Sequence, residues 1–580
     1  MNASTHTAGW SGPFFTISVR QRPPLEESVR LWIKDLPDRA YDWDAAQWKI
    51  PIDIVTPNEL QEWGIMVSDP LPPVPLAPVL DTGQPLVAPR QIEPYQLDGV
   101  TLLQQGRRLL ADEPGVGKTM QLVTFGTNTS ASRVLFVVPR LALTDPWEST
   151  LADQLSAIGP TAPTQGSLTI IAGKHHHKRL DSFNSGVLLT TDSAISSSPE
   201  LVKRIIQWRP ELMLVDETHY LKKFDSRKAR HIRAIASRVP VVIAATGTPY
   251  LKDFTEILTS LVITGSISRF GGLQAFLSDF TWEDQWHQRK GLKRRTAEVS
   301  KILDDSVWIR RTKQEALPHL PPKVRRVVEV KIDRAIIHRA EDEVNARIDK
   351  WIDDYYESVG LLPTPDDARL WVKEHGIESM TQLRLAAGMS KVPEALRRIN
   401  RWMEKHPDRP LVVWGYFQEV IVALSEACTA AGHRVGVLDG RHTRASRVKT
   451  AQAFQNGELD LIIASIPAAG TAITLTRGSD VVFVEIDWTP DVIVQAEDRC
   501  HRYGQQNPVN ISMMVALGSL DEHIRIVLER KIQFLNSAIS GDHKVAVRSS
   551  SDESSFTLLT KMVNDRIRQA ADITDAVIYR

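Results

Sequence analysis

Two separate series of short apolar runs constrain the fold of this chain more than any other feature of its sequence. The first series is VLFVV (134–138), SLTII (167–171), GVLLTT (186–191), LMLV (212–215) and VVIAA (241–245). The second series is LVVW (411–414), RVGVL (434–438), LIIA (461–464), VVFVEI (481–486) and ISMMVA (511–516). Short strands that are apolar on both faces are typical of parallel sheets covered by helices. The sequence therefore predicts an α/β protein with two such sheets.

The segments around the two series predict the remaining domain organisation. Residues 251–403 lack such runs, apart from VVEVKI (327–332), and a proline-dense stretch at 69–85 favours an extended linker. We predict an N-terminal accessory α+β module with its linker at 1–85, a first sheet domain at 86–250, a helical insert and bridge at 251–403, a second sheet domain at 404–545, and a C-terminal tail at 546–580.

Charge and cysteine content exclude several classes of protein. The 70 Lys and Arg balance the 70 Asp and Glu, so the net charge is zero and binding to nucleic acid would need a local basic surface. Cys428 and Cys500 are too few for a disulfide framework or a thiolate zinc site. No apolar stretch reaches the roughly 18 residues of a membrane span, and the N-terminus lacks a signal-peptide pattern. We predict a cytoplasmic protein with no membrane association, and the brevity of the chain favours a bacterial or phage-infected host cell.

The segment ADEPGVGKT (111–119) predicts a phosphate-binding loop. Its backbone N–H groups and the following helix N-terminus would face phosphate oxygens, with Lys118 at the β- and γ-phosphates and the Thr119 hydroxyl on Mg²⁺. The strict pattern G-x-x-x-x-G-K-S/T is broken because Asp112 stands at its first glycine, so an ordinary glycine turn is the alternative. The predicted nucleotide-binding residues of this loop are Asp112, Glu113, Pro114, Gly115, Val116, Gly117, Lys118 and Thr119.

Two carboxylates, Asp216 and Glu217, directly follow the run LMLV. A carboxylate at the end of a strand in the same sheet as a phosphate loop can hold Mg²⁺, and its neighbour can orient or deprotonate the attacking water. A helix cap or a solvated turn is the alternative. The pair lies 98 residues after Lys118 with strands between, which favours the magnesium and base roles.

Two weaker patterns also suit a nucleotide site. Thr246, Gly247 and Thr248 form a turn after another strand, where small hydroxyl residues could sense the occupant of the pocket. Arg499 and Arg502 are three residues apart, and so neighbours on one helical face that suits phosphate. A surface helix with Glu and Arg pairs is the alternative for these two arginines.

Two basic segments are candidates for contacts with DNA phosphates. The candidate residues are Arg289, Lys290, Lys293, Arg294 and Arg295, followed by Arg310 and Arg311. A solvated loop is the alternative for the first group, and packing within the fold is the alternative for the second.

In this order, the segments resemble the Swi/Snf-related family of DNA translocases within helicase superfamily two. IEPYQLDGV resembles the family's adenine-reading segment, and ADEPGVGKT, VDETH and ATGTP resemble its first three motifs. ASIPAAGTAITLT (464–476) and QAEDRCHRYGQ (495–505) are similar to motifs five and six, and VWIRRTKQEALPHLPPK (307–323) is similar to the stretch between its lobes. The resemblance covers residues 93 to 524, roughly.

The resemblance implies two tandem RecA-like lobes that hydrolyse ATP with Mg²⁺ and act on duplex or forked DNA as a monomeric motor. It implies that Arg499 and Arg502 reach the γ-phosphate when the lobes close. The implied catalytic residues are Lys118, Asp216, Glu217, Arg499 and Arg502, with Thr119 and Asp216 on Mg²⁺. Further implied residues are Gln96, Gly470 and Gln495 at the nucleotide, and His219, Thr246, Gly247 and Thr248 in coupling.

Within the family, the sequences of three segments are similar to those of the annealing-helicase branch. These are EIDWTP (485–490), the QAEDR form of motif six and AAGMSKVPEAL (386–396). DLPDRAYDWDAAQWKIPI (35–52) also resembles the small HARP substrate-recognition module of that branch. A generic α+β cap with Trp43 and Trp48 in its core is the alternative.

The chain departs from the family pattern in motif five. Ala469 and Ala472 occupy glycine positions, and Thr474 replaces a common Asn. The added methyl groups could narrow the approach of DNA or ATP. We predict an ATP-dependent translocase that remodels or anneals duplex DNA, with a strand-separating helicase and a nucleotide-gated DNA-binding adaptor as alternatives.

Overall fold

A computed structural model of the chain divides into two compact units, Met1–Pro318 and His319–Arg580. It describes residues 6–11, 13–18, 27–36, 39–55, 57–63, 65–68, 77, 87, 92–140, 142–159, 164, 167–172, 176–250, 253–284, 289–467, 473–540 and 555–578. Within these residues, no helix combines the length and the apolar character needed to cross a membrane.

The first unit begins with a small α+β module. Its elements are β1 (His6–Ser11), β2 (Phe14–Ser18), α1 (Glu27–Asp35), β3 (Ala40–Asp42), β4 (Gln47–Pro51), α2 (Pro57–Glu62) and β5 (Ile65–Val67). The strands lie in the order β3-β4-β2-β1-β5. Burial alternates along β2, where Phe15 and Ile17 are fully buried and their chain neighbours are not, as expected for a sheet with one covered face.

A seven-stranded parallel sheet forms the centre of the first unit, in the order β14-β6-β11-β10-β7-β9-β8. Its strands are β6 (Leu109–Leu110), β7 (Arg133–Val138), β8 (Leu168–Ile171), β9 (Gly186–Thr191), β10 (Leu212–Val215), β11 (Val241–Ala245) and β14 (Trp308–Ile309), and a separate ribbon pairs β12 (Thr281–Glu283) with β13 (Arg289–Gly291). Each apolar run of the first series is a strand of this sheet. The predicted parallel α/β fold is therefore confirmed for this part of the chain.

Helices cover this sheet and extend beyond it. They are α3 (Pro94–Gln104), α4 (Lys118–Thr127), α5 (Ser149–Ile158), α6 (Asp192–Ser197), α7 (Pro199–Trp208), α8 (Arg227–Ala236), α9 (Leu258–Ile263), α10 (Leu273–Phe280), α11 (Thr296–Ile302) and α12 (Lys313–Ala316). Four of them start at a hydroxyl side chain that accepts a hydrogen bond from a first-turn N–H, namely Thr191, Ser198, Ser226 and Thr312. Such caps satisfy donors that the helix itself leaves unpaired.

The second unit contains a six-stranded parallel sheet in the order β15-β20-β19-β16-β18-β17. Its strands are β15 (Lys323–Val330), β16 (Leu411–Gly415), β17 (Val435–Leu438), β18 (Leu461–Ser465), β19 (Asp480–Phe483) and β20 (Val509–Ala516). Its helices are α13 (Ala335–Val359), α14 (Pro365–Lys405), α15 (Gln418–Ala430), α16 (Arg444–Gln455), α17 (Pro490–Glu497), α18 (Leu520–Ser540) and α19 (Ser555–Ile578). The second apolar series is thus also a parallel sheet.

The segment 251–403 contributes to both units instead of forming one insert. Strand β14 completes the sheet of the first unit, whereas β15, α13 and α14 belong to the second. Strand β14 lacks the apolar-run pattern because it has two residues, whereas the run VVEVKI (327–332) overlaps β15, a mostly exposed edge strand. The predicted domain limits remain a prediction at this point of the chain.

The tail includes a helix that packs on the second unit. Leu559 and Val563 of α19 are fully buried in the core that α13 and α14 share with the sheet. The Nε of Arg566 donates to Oδ1 of Asp349 on α13 at 2.8 Å. Residues 555–578 therefore extend the helical layer of this unit.

Candidate active site

The phosphate-binding loop lies between β6 and α4, at the carboxyl edge of the first parallel sheet. Gly117 caps α4 with φ +84°, and a Cβ at this position would lie 2.2 Å from Nε2 of Gln96. Only glycine fits both the backbone conformation and the space. The Lys118 ammonium is buried and donates to the backbone carbonyls of Asp112 at 2.8 Å and Glu113 at 3.2 Å. The loop therefore curls around the lysine.

Asp112, which breaks the strict loop pattern, is a fully buried partner of Arg311. The Nε and Nη2 atoms of Arg311 donate to the two carboxylate oxygens at 3.0 and 2.6 Å, and Nε2 of Gln121 donates at 3.1 Å. A bidentate pair of this kind is strong when both groups are desolvated. The aspartate thus ties the loop to β14 and α4, which accounts for its place at a glycine position.

Arg310 and Arg311 make packing contacts within the first unit. Nη1 of Arg310 donates to the carbonyl of Ala111 at 2.8 Å, and burial lowers the pKa of this guanidinium. Nη1 of Arg311 donates to the carbonyl of Tyr95. Both arginines therefore make contacts within the fold, which was the alternative to DNA binding for these two residues. Their partners are the first residue of the phosphate loop and a residue of α3.

The buried Asp112–Arg311 pair gives a prediction about stability. Arg311→Met should lower the free energy of local unfolding around α4 by about 3–5 kcal/mol, because it leaves a buried carboxylate without its counter-ion. Hydrogen exchange of α4 peptides, followed by mass spectrometry, measures this. Lys293→Met, at an exposed position, is the control and should stay within about 0.5 kcal/mol. A loss for Arg311→Met no larger than that of the control would show that the pair does not hold the loop.

Gln96 is buried against the same loop. Its Nε2 donates to the carbonyl of Val116 at 3.3 Å, and its Oε1 accepts from the N–H of Glu93 at 3.1 Å. The hydroxyl of Tyr95 donates to the same Val116 carbonyl at 2.7 Å. The start of α3 therefore touches the loop, and the role of Gln96 at the nucleotide stays a prediction.

The carboxylate pair lies at the end of β10, in a neighbouring part of the same sheet edge. Oδ1 of Asp216 accepts from the N–H of Glu217 at 2.9 Å, and Oδ2 accepts from Nε1 of Trp147 at 3.1 Å. Burial and the charge of Glu217 raise the pKa of Asp216. For Glu217, a hydrogen bond from His219 and the charges of His219 and Lys118 outweigh burial and lower the pKa. Glu217 also has φ +50°, a left-handed backbone conformation that is uncommon for residues other than glycine.

His219 connects the carboxylate pair with the turn after β11. Its Nδ1 lies 3.0 Å from Oε2 of Glu217 and 3.2 Å from Oγ1 of Thr246, and Thr246 Oγ1 also accepts from the N–H of Thr248 at 3.2 Å. A Cβ on Gly247 would lie 2.7 Å from Pro114 and 3.1 Å from the Lys118 ammonium. The three segments converge because β6, β11 and β10 are adjacent parallel strands whose carboxyl ends share one edge.

Arg499 and Arg502 belong to the second unit, where they follow helix α17 in a turn rather than lying on a helix. Both side chains are half-buried. The Arg499 carbonyl accepts from the N–H of Leu475 at 2.8 Å, which joins motif six to the end of motif five. Gln495 is half-buried on α17 and Thr474 is half-buried in motif five, whereas Gly470, Ala469 and Ala472 lie outside the described residues.

Motif six is anchored by residues that the sequence patterns did not single out. Glu497 is fully buried and accepts from Lys323 Nζ at 2.7 Å and from Arg325 Nε and Nη2 at 2.6 Å each. These two cations outweigh burial and lower the pKa of Glu497 to about 2. Nε2 of Gln505 donates to three backbone carbonyls at 2.9–3.1 Å, including that of Cys500. In the sequence, the only signs of this ion pairing are the glutamate of QAEDR and the basic residues at the start of β15.

The two segments that resemble the annealing branch meet in the structure. On α14, a Cβ at Gly388 would lie 2.5 Å from Oε1 of Glu485. One turn earlier on the same helix, Nη2 of Arg384 donates to Oδ2 of Asp487 at 3.1 Å. Helix α14 therefore holds the loop that follows β19, at the carboxyl edge of the second sheet.

The basic run at 289–295 lies on a surface ribbon and the short 3₁₀ helix that follows it. Three of its members have acidic neighbours: Arg289 is 3.6 Å from Glu283, Lys290 is 2.8 Å from Asp284, and Arg295 is 2.7 Å from Glu298. Lys293 and Arg294 are exposed and have no ion pair among the residues that the structure describes. These two remain the most accessible of the predicted DNA contacts.

Comparison with known proteins identifies the family. Residues 95–339 match the SNF2-related domain, and residues 391–504 match the helicase conserved C-terminal domain. The chain contains an SNF2-related domain followed by a helicase C-terminal domain. This confirms the resemblance drawn from the motifs, and the two matched domains indicate that the SNF2-related chain uses a nucleotide.

Curated relatives of this SNF2-related chain come from animals. It is 27% identical over 464 residues to the "DNA annealing helicase and endonuclease ZRANB3" of Homo sapiens, a match that covers 77% of the chain and 40% of that protein. It is 26% identical over 545 residues to the "SWI/SNF-related matrix-associated actin-dependent regulator of chromatin subfamily A-like protein 1 homolog" of Caenorhabditis elegans, covering 90% of the chain and 74% of that protein. The chain thus spans about two fifths of the length of the human relative.

A solved structure is also similar to this SNF2-related chain. The "Sulfolobus solfataricus SWI2/SNF2 ATPase core in complex with dsDNA" is 19% identical, with 84% of the chain and 98% of that structure covered and a TM-score of 0.36.

The predicted bacterial or phage-infected host cell is wrong for this SNF2-related chain. The relatives include proteins of Homo sapiens, Bos taurus and Caenorhabditis elegans. The brevity of a chain reflects how many accessory segments accompany its central domains, and it carries no information about the type of cell.

Proposed function

We propose that this chain hydrolyses ATP with Mg²⁺ and uses the reaction to move on or remodel double-stranded DNA. The observation that supports this best is the convergence of Lys118, Glu217, His219 and Thr246 at one edge of the first sheet. There, the imidazole of His219 joins the Glu217 carboxylate to the Thr246 hydroxyl, and the Lys118 ammonium lies beside Gly247 of the same turn. Such a connection can pass the state of the nucleotide to the turn after β11.

The residues around Lys118 fit a magnesium ion. Mg²⁺ prefers oxygen ligands and is usually held by one or two protein groups together with substrate phosphates. Asp216 supplies a carboxylate and Thr119 a hydroxyl, and the raised pKa of Asp216 reflects a buried site with excess negative charge. A bound divalent cation would supply the charge that stabilises the phosphate oxygens and would keep Asp216 ionised.

Each remaining residue of the first unit has a separate role in this proposal. Glu217 is ionised at neutral pH, so its carboxylate can orient the attacking water or accept a proton from it. The Lys118 ammonium would exchange its two carbonyl partners for phosphate oxygens. His219 would couple a movement of Glu217 to Thr246, because it contacts both side chains.

We assign Arg499 and Arg502 to the stabilisation of charge on the γ-phosphate. The buried ion pairs of Glu497 hold the backbone that presents both arginines. Arginines in this role contribute on the order of 10³–10⁵ to the rate in related NTPases.

DNA is the proposed substrate, and contact would be made mainly with phosphates. The zero net charge of the chain leaves this contact to local basic groups, of which Lys293 and Arg294 are exposed. Phosphate contacts carry little sequence information, so we propose binding with little sequence preference. The relative named as a DNA annealing helicase favours remodelling or annealing over strand separation.

The direct test is steady-state ATP hydrolysis by the purified chain with no nucleic acid, single-stranded DNA, blunt duplex, forked duplex and double-stranded RNA. We expect the strongest stimulation with duplex or forked DNA, because a translocase on duplex couples its cycle to that backbone. The Glu217→Gln protein, prepared in parallel, measures contaminating ATPase. Strongest stimulation by single strands would favour a strand-separating helicase, and equal rates in all five conditions would contradict a DNA-dependent motor.

A further inference from the structure

A buried arginine on α14 holds the loop that leads from β19 into helix α17. Nη2 of Arg384 donates to Oδ2 of Asp487 at 3.1 Å and to the backbone carbonyl of Ile486 at 3.2 Å. The two charged side chains are only 9% and 7% exposed. An unpaired charge is costly at such burial, so the ion pair fixes the loop to the helix.

Three aromatic rings pack near the same guanidinium. Its Cζ lies 4.1 Å from the centre of the Tyr416 ring, 4.8 Å from that of Trp488 and 5.6 Å from that of Phe417. A guanidinium is attracted to the face of an aromatic ring, most strongly where water is excluded. Since Tyr416 and Phe417 follow β16 whereas Trp488 follows β19, Arg384 joins two loops at the carboxyl edge of the second sheet.

Asp487 also holds the start of α17. Its Oδ1 accepts from the N–H of Thr489 at 2.8 Å, and Thr489 is the residue that caps the helix. Pro490 follows, with the fixed φ that suits the first position of a helix. One carboxylate therefore binds Arg384 through one oxygen and the entry into α17 through the other.

Helix α17 connects this entry with motif six. It has 8 residues, which span about 12 Å. Ile493 and Ala496 on this helix are fully buried, and the N–H of Arg499 donates to the Ala496 carbonyl at 3.2 Å. The ion pairs of Glu497 fix the last turn of the helix. A displacement at the start of α17 would therefore tilt the helix and move the backbone that presents Arg499.

We propose that Arg384 is a positioning residue for ATP hydrolysis. Through Asp487 and α17, it sets the positions of Arg499 and Arg502. This inference rests on the proposed function, in which these two arginines stabilise charge on the γ-phosphate. A misplacement of about 1 Å can cost about 10²-fold in rate when the displaced group acts in the transition state.

The test measures kcat and KM for ATP hydrolysis by the full chain at saturating duplex DNA. Arg384→Met should lower kcat by about 10- to 100-fold and change KM by less than about threefold, because the two arginines act mainly in the transition state. Asp487→Ala should have the same effect. The double variant should lose no more than either single variant, because both changes release the same loop.

A second background shows whether Arg384 acts through motif six. In a chain that carries both Arg499→Ala and Arg502→Ala, adding Arg384→Met should leave the single-turnover rate of hydrolysis unchanged. A further loss in that background would overturn the proposal. Wild-type turnover by the chain that lacks only the two motif-six arginines would instead contradict the proposed function.

The matched control is Arg409→Met, at the opposite edge of the same sheet. Arg409 also combines an ion pair, with Asp480 at 2.5 Å, and an aromatic ring, that of Trp402 at 5.3 Å. The change should lower the thermal midpoint, because Asp480 is buried, while kcat stays within about twofold. Equal falls in kcat for the two variants would show a structural role only and overturn the proposal.

A milder change covers the case in which Arg384→Met does not fold. Arg384→Lys keeps the charge but loses the planar group that packs against the rings and reaches Asp487. It should lower kcat in the same direction, with KM again close to the wild-type value. Wild-type kcat for this folded variant and for Asp487→Ala would overturn the proposal.

Discussion

Lys118→Ala is expected to lower the rate of ATP hydrolysis by about 10²–10³-fold or more, at saturating duplex DNA. The Lys118 ammonium is the buried cation around which the loop curls, and it lies within 3.2 Å of two loop carbonyls. Its removal takes away the positive charge that would stabilise the phosphate oxygens as the bond to the γ-phosphate breaks. Alanine cannot replace that charge, although the backbone donors of the loop remain.

The measurement is steady-state phosphate release, with Lys223→Ala as the control. Lys223 is an exposed lysine of the same unit, and its loss should leave the rate unchanged. Circular dichroism and the thermal midpoint should agree among the three proteins. Wild-type turnover by Lys118→Ala would refute the assignment of the phosphate-binding loop.

Glu217→Gln is expected to retain ATP binding while hydrolysis falls by about 10²–10⁴-fold, the range for loss of a general base. Glutamine keeps the size of the side chain and an oxygen that can still accept from His219, so the connection to Thr246 should survive. It loses the negative charge that the carboxylate of Glu217 carries at neutral pH. The variant should therefore accumulate with ATP bound.

Two readouts separate binding from chemistry in this variant. Equilibrium binding of a fluorescent ATP analogue should give an affinity close to that of the wild type, and single-turnover hydrolysis should give the reduced rate. Loss of nucleotide binding by a folded Glu217→Gln protein would show that the carboxylate holds the nucleotide, and the base assignment would then be wrong.

Much of the fold was predictable because strands in a parallel sheet are selected by local composition. Runs such as VLFVV and VVIAA need apolar residues on both faces, and that requirement is visible in any short window of sequence. Strand β14 was not predicted, because two residues are too few to form such a pattern. Only the second half of β15 showed an apolar run, because this strand lies at an edge of its sheet, where charged residues are tolerated.

The residue types at the candidate site could also be predicted, but the residues that they contact could not. From the sequence, Asp112 only breaks the pattern of a phosphate-binding loop. In the structure it pairs with Arg311, 199 residues away, and so ties the loop to a distant segment. Arg310 and Arg311 were assigned either to DNA or to packing, and only their neighbours distinguish the two. Likewise, Glu497 had no evident role before Lys323 and Arg325 were found beside it.

By itself, the sequence determined the two parallel sheets, the lysine that we propose binds phosphate, the carboxylate pair after β10 and the resemblance to the family. These features depend on residue types a few positions apart in the chain, and such local patterns can be recognised without knowledge of the fold. Only the tertiary structure decided which charges are neutralised by buried partners and that Trp43 faces solvent while Trp48 is half-buried. Burial and ion pairing depend on contacts between residues far apart in the chain, and no local pattern specifies those contacts.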